Sequence, residues 1–264
     1  MENVQSSDRP AARERRALIL KMVNETDEIL VEELARTFST TTVTIRKDLT
    51  ILQKRNLLVR TRGGAMRKPV DNLNEDNPLA RKRMFNFKEK EKIGQEAAKL
   101  IADGDYIMLD SGTTTLEIAK NLQRFTNLTI LTNSINIAEI CLTYNRFTVI
   151  VLGGHLRTNS HSTIGPLALN TLSHFCKYKL FLGVDSFSVE AGVSTPSLEE
   201  AMLNQAMIAQ ASETIAVFDS SKCNKRSFCH IADVSQIDTV VTDKCMPVDI
   251  ANQLKAKSIR LVLV

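Results

Sequence analysis

The chain reads as an α/β protein: a small, basic helical head joined to a larger body with a largely parallel sheet. Three observations predict this. Residues 41–68 carry eight basic side chains and a single acid, Asp48. Residues 1–70 hold 14 Lys and Arg against 9 Asp and Glu, a net of +5, whereas residues 71–264 hold 20 against 21. From residue 106 onward, short apolar runs alternate with helical patterns, the rhythm of parallel strands covered on both faces.

In the head, residues 1–12 form a polar tail and residues 13–68 a helix-turn-helix with a wing. A first helix is expected at 13–24 and a second at 31–38, with Val31, Leu34, Ala35 and Phe38 on one face. The hydroxyls of residues 39–42 suit a turn and an N-cap. A third helix runs from about 42 to 55, and Ile45, Leu49 and Leu52 recur at i, i+4 and i+7 toward the core. Thr41, Thr42, Thr44, Arg46 and Lys47 are left at its exposed N-terminal part, the part that enters the major groove in a helix-turn-helix. In residues 57–68, two extended runs flank Gly63-Gly64 and form a basic hairpin, which places Arg60, Arg62 and Arg67 for phosphate contact. Neutralising closely spaced phosphates releases counterions, so a dense basic segment is the footprint of a nucleic-acid binder. Double-stranded DNA is therefore the expected partner of the head.

Residues 69–84 are polar, hold two prolines and read as a linker. In the body, residues 85–264, a helix is expected at 87–101. Strands follow at 106–110, 128–133, 147–154, 179–185, 214–219, 239–243 and 259–264, with helices at about 166–175, 198–211 and 248–256. Open sheets of this kind bind ligands beyond the carboxyl ends of their strands. Small polar groups collect at those ends: Asp110, Ser111, Gly112, Thr113, Thr114 and Thr115; Thr132 and Asn133; Gly153 and Gly154; Asp185; Asp219 and Lys222. The run from Ser111 to Thr115 opens a helix, where backbone N–H groups and hydroxyls suit a phosphate. Lys222 adds a point charge, and Asp219 or Asp110 can accept hydrogen bonds from sugar hydroxyls.

Several classes are disfavoured. No apolar run approaches the ~20 residues needed to cross a membrane. The N-terminus lacks an apolar h-region, so export is not expected. The five cysteines are odd in number, scattered and without a C-x-x-C, so they read as free thiols of a reducing cytoplasm. Cys223, Cys229 and His230 fit no usual zinc spacing, and neither a metal nor a cofactor is expected.

The stretch VEELARTFSTTTVTIRKDLTILQKRNLLVRTRGGA resembles the N-terminal signature of the DeoR family of bacterial sugar-metabolism regulators. Thr44-Ile45-Arg46-Lys47-Asp48-Leu49 and Gly63-Gly64-Ala65 carry the likeness. Arg62 and the pair Thr40-Thr41 depart from it. The likeness continues through residue 243, with departures at Ser186 and Gln205. It implies a winged helix-turn-helix followed by an α/β sensor domain similar in fold to ribose-5-phosphate isomerase. It also implies that residues 110–115, 132–133, 153–154, 183–185 and 219–222 line a pocket for a phosphorylated sugar. The implied function is a transcriptional repressor of a carbohydrate-utilisation operon, relieved by that sugar. It would act as a homo-oligomer, dimer or tetramer, in the bacterial cytoplasm. Two alternatives stay open: an isomerase-like enzyme fused to a DNA-binding head, with Glu199 and Glu200 as candidate bases, and an architectural DNA binder without a pocket.

Overall fold

The computed structural model describes residues 12–26, 28–55, 57–61, 63–67 and 76–264. The chain divides into two compact units, the first ending at residue 72 and the second beginning at 73. The expected tail, apart from Ala12, and residues 69–75 of the expected linker lie outside the described residues.

The first unit comprises helix α1 (Ala12–Thr26), strand β1 (Glu28–Leu30), helices α2 (Val31–Thr37) and α3 (Thr42–Lys54), and strands β2 (Leu58–Arg60) and β3 (Gly64–Arg67). Helix α3 starts where the Thr41 hydroxyl accepts the Thr44 N–H at 3.2 Å, an N-cap that satisfies one orphan donor. Its stripe of Ile45, Leu49 and Leu52 is buried against Ile19 and Val23 of α1 and Val31 and Leu34 of α2. Asp48 is buried on the same helix and held by Arg15 at 2.7 Å and Arg16 at 3.4 Å.

The expected two-stranded wing has a third strand. β1 pairs with β3, which in turn pairs with β2, all antiparallel. The two glycines have different tasks. Gly63 sits at φ +148°, a turn conformation that L side chains avoid, while a Cβ on Gly64 would lie 2.1 Å from the Ile29 carbonyl oxygen. β1 escapes sequence detection because three residues, EIL, are too short to show a period.

The second unit begins with helices α4 (Leu79–Met84) and α5 (Phe87–Ala98). Then come β4 (Tyr106–Leu109), α6 (Thr113–Ala119), β5 (Thr129–Thr132), α7 (Ile135–Thr143), β6 (Thr148–Val151), β7 (His155–Arg157) and β8 (Ser162–Ile164). α8 (Pro166–Leu172), β9 (Lys179–Gly183), β10 (Ser186–Ser188), β11 (Gly192–Thr195), α9 (Leu198–Gln210) and β12 (Glu213–Val217) follow. The chain closes with β13 (Cys229–Ala232), β14 (Thr239–Thr242), α10 (Val248–Ala256) and β15 (Arg260–Leu263).

Seven strands form a fully parallel sheet in the order β15-β14-β12-β9-β4-β5-β6. Successive side chains in a strand point to opposite faces. On β9, Leu180 and Leu182 therefore join the core layer of α8, α9 and α10, while Phe181 joins the layer of α5, α6 and α7. The seven expected strands are all present, each slightly shorter than the sequence pattern. The helix expected at 87–101 ends at Ala98, after which residues 99–101 close with tight i→i−3 turns.

Three parts differ from expectation. Residues 79–84 of the expected linker are helical. A β7–β8 hairpin and an antiparallel sheet, β10-β11-β13, supplement the main sheet. Their strands are short, and serines of β8 and β10 pair with buried hydroxyls just outside the strands, Ser186 with Ser227 at 2.8 Å and Ser162 with Ser160 at 2.6 Å. Polar strands of three or four residues leave no hydrophobic period. Among the described residues no helix is long and apolar enough to cross a membrane.

Candidate functional site

In the first unit, Val43, Arg46, Lys47 and Thr50 follow the spacing i, i+3, i+4, i+7 and share the face of α3 opposite its buried stripe. Arg46 and Lys47 are exposed, and Val43 is 58% exposed. The Thr41 and Thr44 hydroxyls bond each other at 3.0 Å, so they serve the cap first. Thr42 is half-buried in the first turn. From the wing, Arg60 donates to the Thr50 hydroxyl at 3.1 Å, which fixes β2 against α3. Arg67 closes β3, and Arg62 lies outside the described residues. Val43 was not among the expected contacts, yet it lies off the 45/49/52 stripe and is therefore turned outward.

In the second unit, the five strand ends singled out from sequence all lie on one edge, because β12, β9, β4, β5 and β6 are adjacent and parallel. Four strand spacings of about 4.8 Å put β12 and β6 about 19 Å apart. That is wider than a monosaccharide, so one small ligand does not meet all five.

The ends of β12, β9 and β4 form the dense part. The Asp110 carboxylate accepts the Gly112 N–H at 2.9 Å, the Thr115 hydroxyl at 2.8 Å and the Gly183 N–H at 2.9 Å. Asp110 thus clips the 111–115 loop to β9 rather than facing solvent. Burial pushes its carboxyl up to about 7, against the pull of those three donors. Thr115 is fully buried by the same clip, and Thr113 and Thr114 are mostly buried, leaving Ser111 and Gly112 the more accessible part of the loop.

Farther along the edge, the Thr132 hydroxyl accepts the Ser134 N–H at 3.0 Å, and Asn133 donates to the Thr163 carbonyl at 3.2 Å. The Asn133 side-chain oxygen is buried without a hydrogen-bond partner. Gly153 and Gly154 are exposed. Gly154 stands at φ +132°, where a Cβ would lie 2.4 Å from the Ile164 carbonyl, so chain packing accounts for this glycine.

Three lysines converge on Asp185 and Asp219. Lys82, from α4, reaches Asp185 at 2.8 and 2.9 Å. Lys90, from α5, is buried, stands 4.0 Å from Asp219 and donates to the Lys82 carbonyl at 2.6 Å. Lys222 is half-buried and close enough to Asp185 and Lys90 to act on both electrostatically. Asp219 also accepts from the Asn86 amide at 2.6 Å and from Ser221. Burial pushes the Asp185 carboxyl up, but Lys82 and Lys222 outweigh it and hold it well below the usual range. Burial, assisted by Lys222 and Lys82, pulls Lys90 down to about 8 despite Asp219 and Asp185.

Sequence patterning exposed Asp185, Asp219 and Lys222 because they end strands. Lys82 and Lys90 escaped it because they sit among many lysines and arginines of two helices, and only tertiary packing selects them. Of the two candidate bases, Glu199 is exposed, while Glu200 is held by Arg157 at 2.7 Å and bonded by the Thr195 hydroxyl at 3.2 Å.

A winged helix with a basic outward face, joined in one chain to a parallel α/β unit with a charged strand-end cluster, defines a transcriptional regulator with a sensor unit. The DeoR-like helix-turn-helix domain model matches residues 15–68, and the DeoR C terminal sensor domain model matches residues 85–244. A putative aga operon transcriptional repressor of Escherichia coli O157:H7 is 35% identical over 251 residues, covering 95% of this chain and 93% of its own. The glycerol-3-phosphate regulon repressor of Escherichia coli (strain K12) is 30% identical, covering 93% and 96%. The HTH-type transcriptional repressor GlcR of Bacillus subtilis (strain 168) is 33% identical, covering 88% of each chain. A ribose 5-phosphate isomerase A from Methanocaldococcus jannaschii aligns with a TM-score of 0.40 at 18% identity, over 53% of this chain and 56% of that one. The chain belongs to the DeoR family of transcriptional regulators. Its relatives are regulators rather than enzymes, which sets aside the isomerase-like alternative.

Proposed function

We propose that this regulator represses a carbohydrate-utilisation operon and is released from its operator by a phosphorylated sugar. The observation that carries this reading is the convergence of Lys82, Lys90 and Lys222 on one strand-end edge, beside the backbone of Ser111 and Gly112. The three ammonium groups offer charge-assisted donors of the kind that suit a phosphate monoester. Asp219 and Asp185 offer acceptors to sugar hydroxyls. On the DNA side, Val43, Arg46, Lys47 and Thr50 meet base edges, while Arg60, Arg62 and Arg67 meet phosphates. A homo-oligomer, dimer or tetramer, in the cytoplasm completes the reading, since paired half-sites multiply a weak single contact.

The test starts by selecting bound duplexes from a random pool with the full chain. A panel of sugar phosphates and the parent sugars is then titrated into the complex. Release by one phosphorylated sugar and not by its parent is the expected result. Tight, specific binding that no member of the panel weakens would overturn the sensor half of the proposal. On the selected duplex, Arg46→Ala is expected to lose about 1–3 kcal/mol of binding if Arg46 reads a base. Its melting temperature should stay put, because Arg46 lies off the buried stripe; unchanged affinity in a gel shift would remove Arg46 from the interface.

Lys90 sets a pH dependence. Its ammonium is charged below about 8 and neutral above, and the groups facing it are Asp219, Asp185, Lys222 and Lys82. A phosphate monoester is already dianionic in this range, since its second pKa is about 6. Effector affinity is therefore expected to fall as pH rises through and somewhat above 8, and Lys90→Met should flatten the profile. For stability the sign is the reverse. A lysine with a depressed folded pKa disfavours the folded state at neutral pH, and that penalty fades between about 8 and the ordinary 10.5. Calorimetric titrations from pH 7 to 9.5 check both.

A further inference from the structure

Residues 76–84 lie between the two family matches, and a closed ring of polar contacts secures them to the second unit. The Asp76 carboxylate takes the Arg157 guanidinium and accepts from the Asn159 amide at 2.9 Å. The Leu79 N–H, opening α4, donates to the Asn159 carbonyl at 2.7 Å. Arg157 continues to Glu200 at 2.7 Å. The Thr195 hydroxyl stands 3.2 Å from Glu200 and 3.3 Å from Asp185, and its single proton serves one carboxylate at a time. Asp185 then returns to α4 through Lys82.

α4 has six residues, too few to persist by its own hydrogen bonding, so its position depends on these anchors. It also carries more buried donors than the protein supplies with acceptors. Among the described residues, Arg81 Nε and Nη2 and Arg83 Nε are buried without a hydrogen-bond partner. In sequence, eleven residues separate Arg67, the last of β3 in the winged helix, from Leu79, the first of α4.

We propose that α4 is a releasable latch. Lys82 exchanges Asp185 for the phosphate of the effector, and that exchange alters the segment that leads into the DNA-binding unit. The inference rests on the reading of the second unit as a sugar-phosphate sensor. Lys82 belongs to the same cationic cluster as Lys90 and Lys222, so a phosphate bound there competes with Asp185 for its ammonium. Linkage fixes the sign: if the effector lowers DNA affinity by displacing the latch, the intact latch raises DNA affinity. Losing the latch should therefore mimic the effector.

The experiment uses the full chain, the selected duplex, and two anionic probes, inorganic phosphate and glycerol 3-phosphate, alongside the sugar-phosphate panel. Amide hydrogen exchange over 76–84 and DNA affinity are measured for wild type, Lys82→Ala, Lys82→Arg and Arg157→Ala. With no phosphate compound added, Lys82→Ala is expected to speed exchange across α4 and weaken DNA binding on the order of tenfold, within the usual span of allosteric coupling. Lys82→Arg should restore both, because it can still pair with Asp185. Arg157→Ala should reproduce both losses from the other end of the ring, and it carries the test if Lys82→Ala fails to melt cooperatively. A variant whose α4 exchanges fast while DNA affinity stays at the wild-type value would overturn the latch. If none of the panel or probes releases DNA, the sensor reading fails, and the variants still decide whether α4 is coupled to DNA binding.

Discussion

Lys222→Ala is expected to hold DNA with wild-type affinity at effector concentrations that strip the wild type. Among the described residues the Lys222 ammonium makes no hydrogen bond or close ion pair, and its backbone N–H bond to the Asp219 carbonyl survives the substitution, so its loss breaks little that the fold uses. Lys82 still pairs with Asp185, and Lys90 still faces Asp219. A net contribution of about 1.5–3 kcal/mol for a hydrogen bond to a charged group moves the midpoint of release by roughly 10- to 150-fold. In a cell this is a permanently repressed phenotype, and Lys222→Arg should restore part of the response by restoring the charge. Operator release by Lys222→Ala at the wild-type effector concentration would place the anion elsewhere.

Gly64→Ala is expected to abolish DNA binding through the fold rather than through contact. The added Cβ meets the Ile29 carbonyl oxygen at 2.1 Å and the Leu30 Cα at 3.1 Å, both backbone atoms of a paired strand. No rotamer relieves a backbone clash, so β1 and β3 must separate and Ile29 and Ala65 lose their burial. A cost of about 3–5 kcal/mol is in proportion for a core disruption and is comparable to the whole stability of a small unit. Calorimetry should show the transition of the first unit lowered or lost while that of the second persists. A Gly64→Ala protein with two unchanged transitions would mean that β1 is dispensable.

The sequence pattern resolved long regular features and missed short or cooperative ones. The apolar runs around Ile107, Phe181 and Val240 are buried on both faces, which makes each strand visible without any partner. The α3 stripe and its Thr41 cap are equally local, as is the Gly63 turn. By contrast, β1, the serine-rich strands around Ser186 and Ser162, and α4 depend on partners far away in the chain. The same division governs the strand-end cluster. Asp185, Asp219 and Lys222 follow strands and were legible, whereas Lys82 and Lys90 are chosen from among many basic residues only by packing. Asp110 was legible as a position but not in its task, since the Gly183 amide it binds is 73 residues away.

That Asp110 clip has a consequence for the speed and economy of a response. It ties the 111–115 loop to the end of β9 by three hydrogen bonds under one carboxylate, so two loops that would otherwise fluctuate separately move as one body. A ligand arriving there orders little that is not already ordered, and the entropic cost of binding is correspondingly small. The free energy of association then remains available for the displacement of α4 proposed above. Rigidity at the strand ends is thus the condition for mobility elsewhere, much as a stiff fulcrum is for a lever.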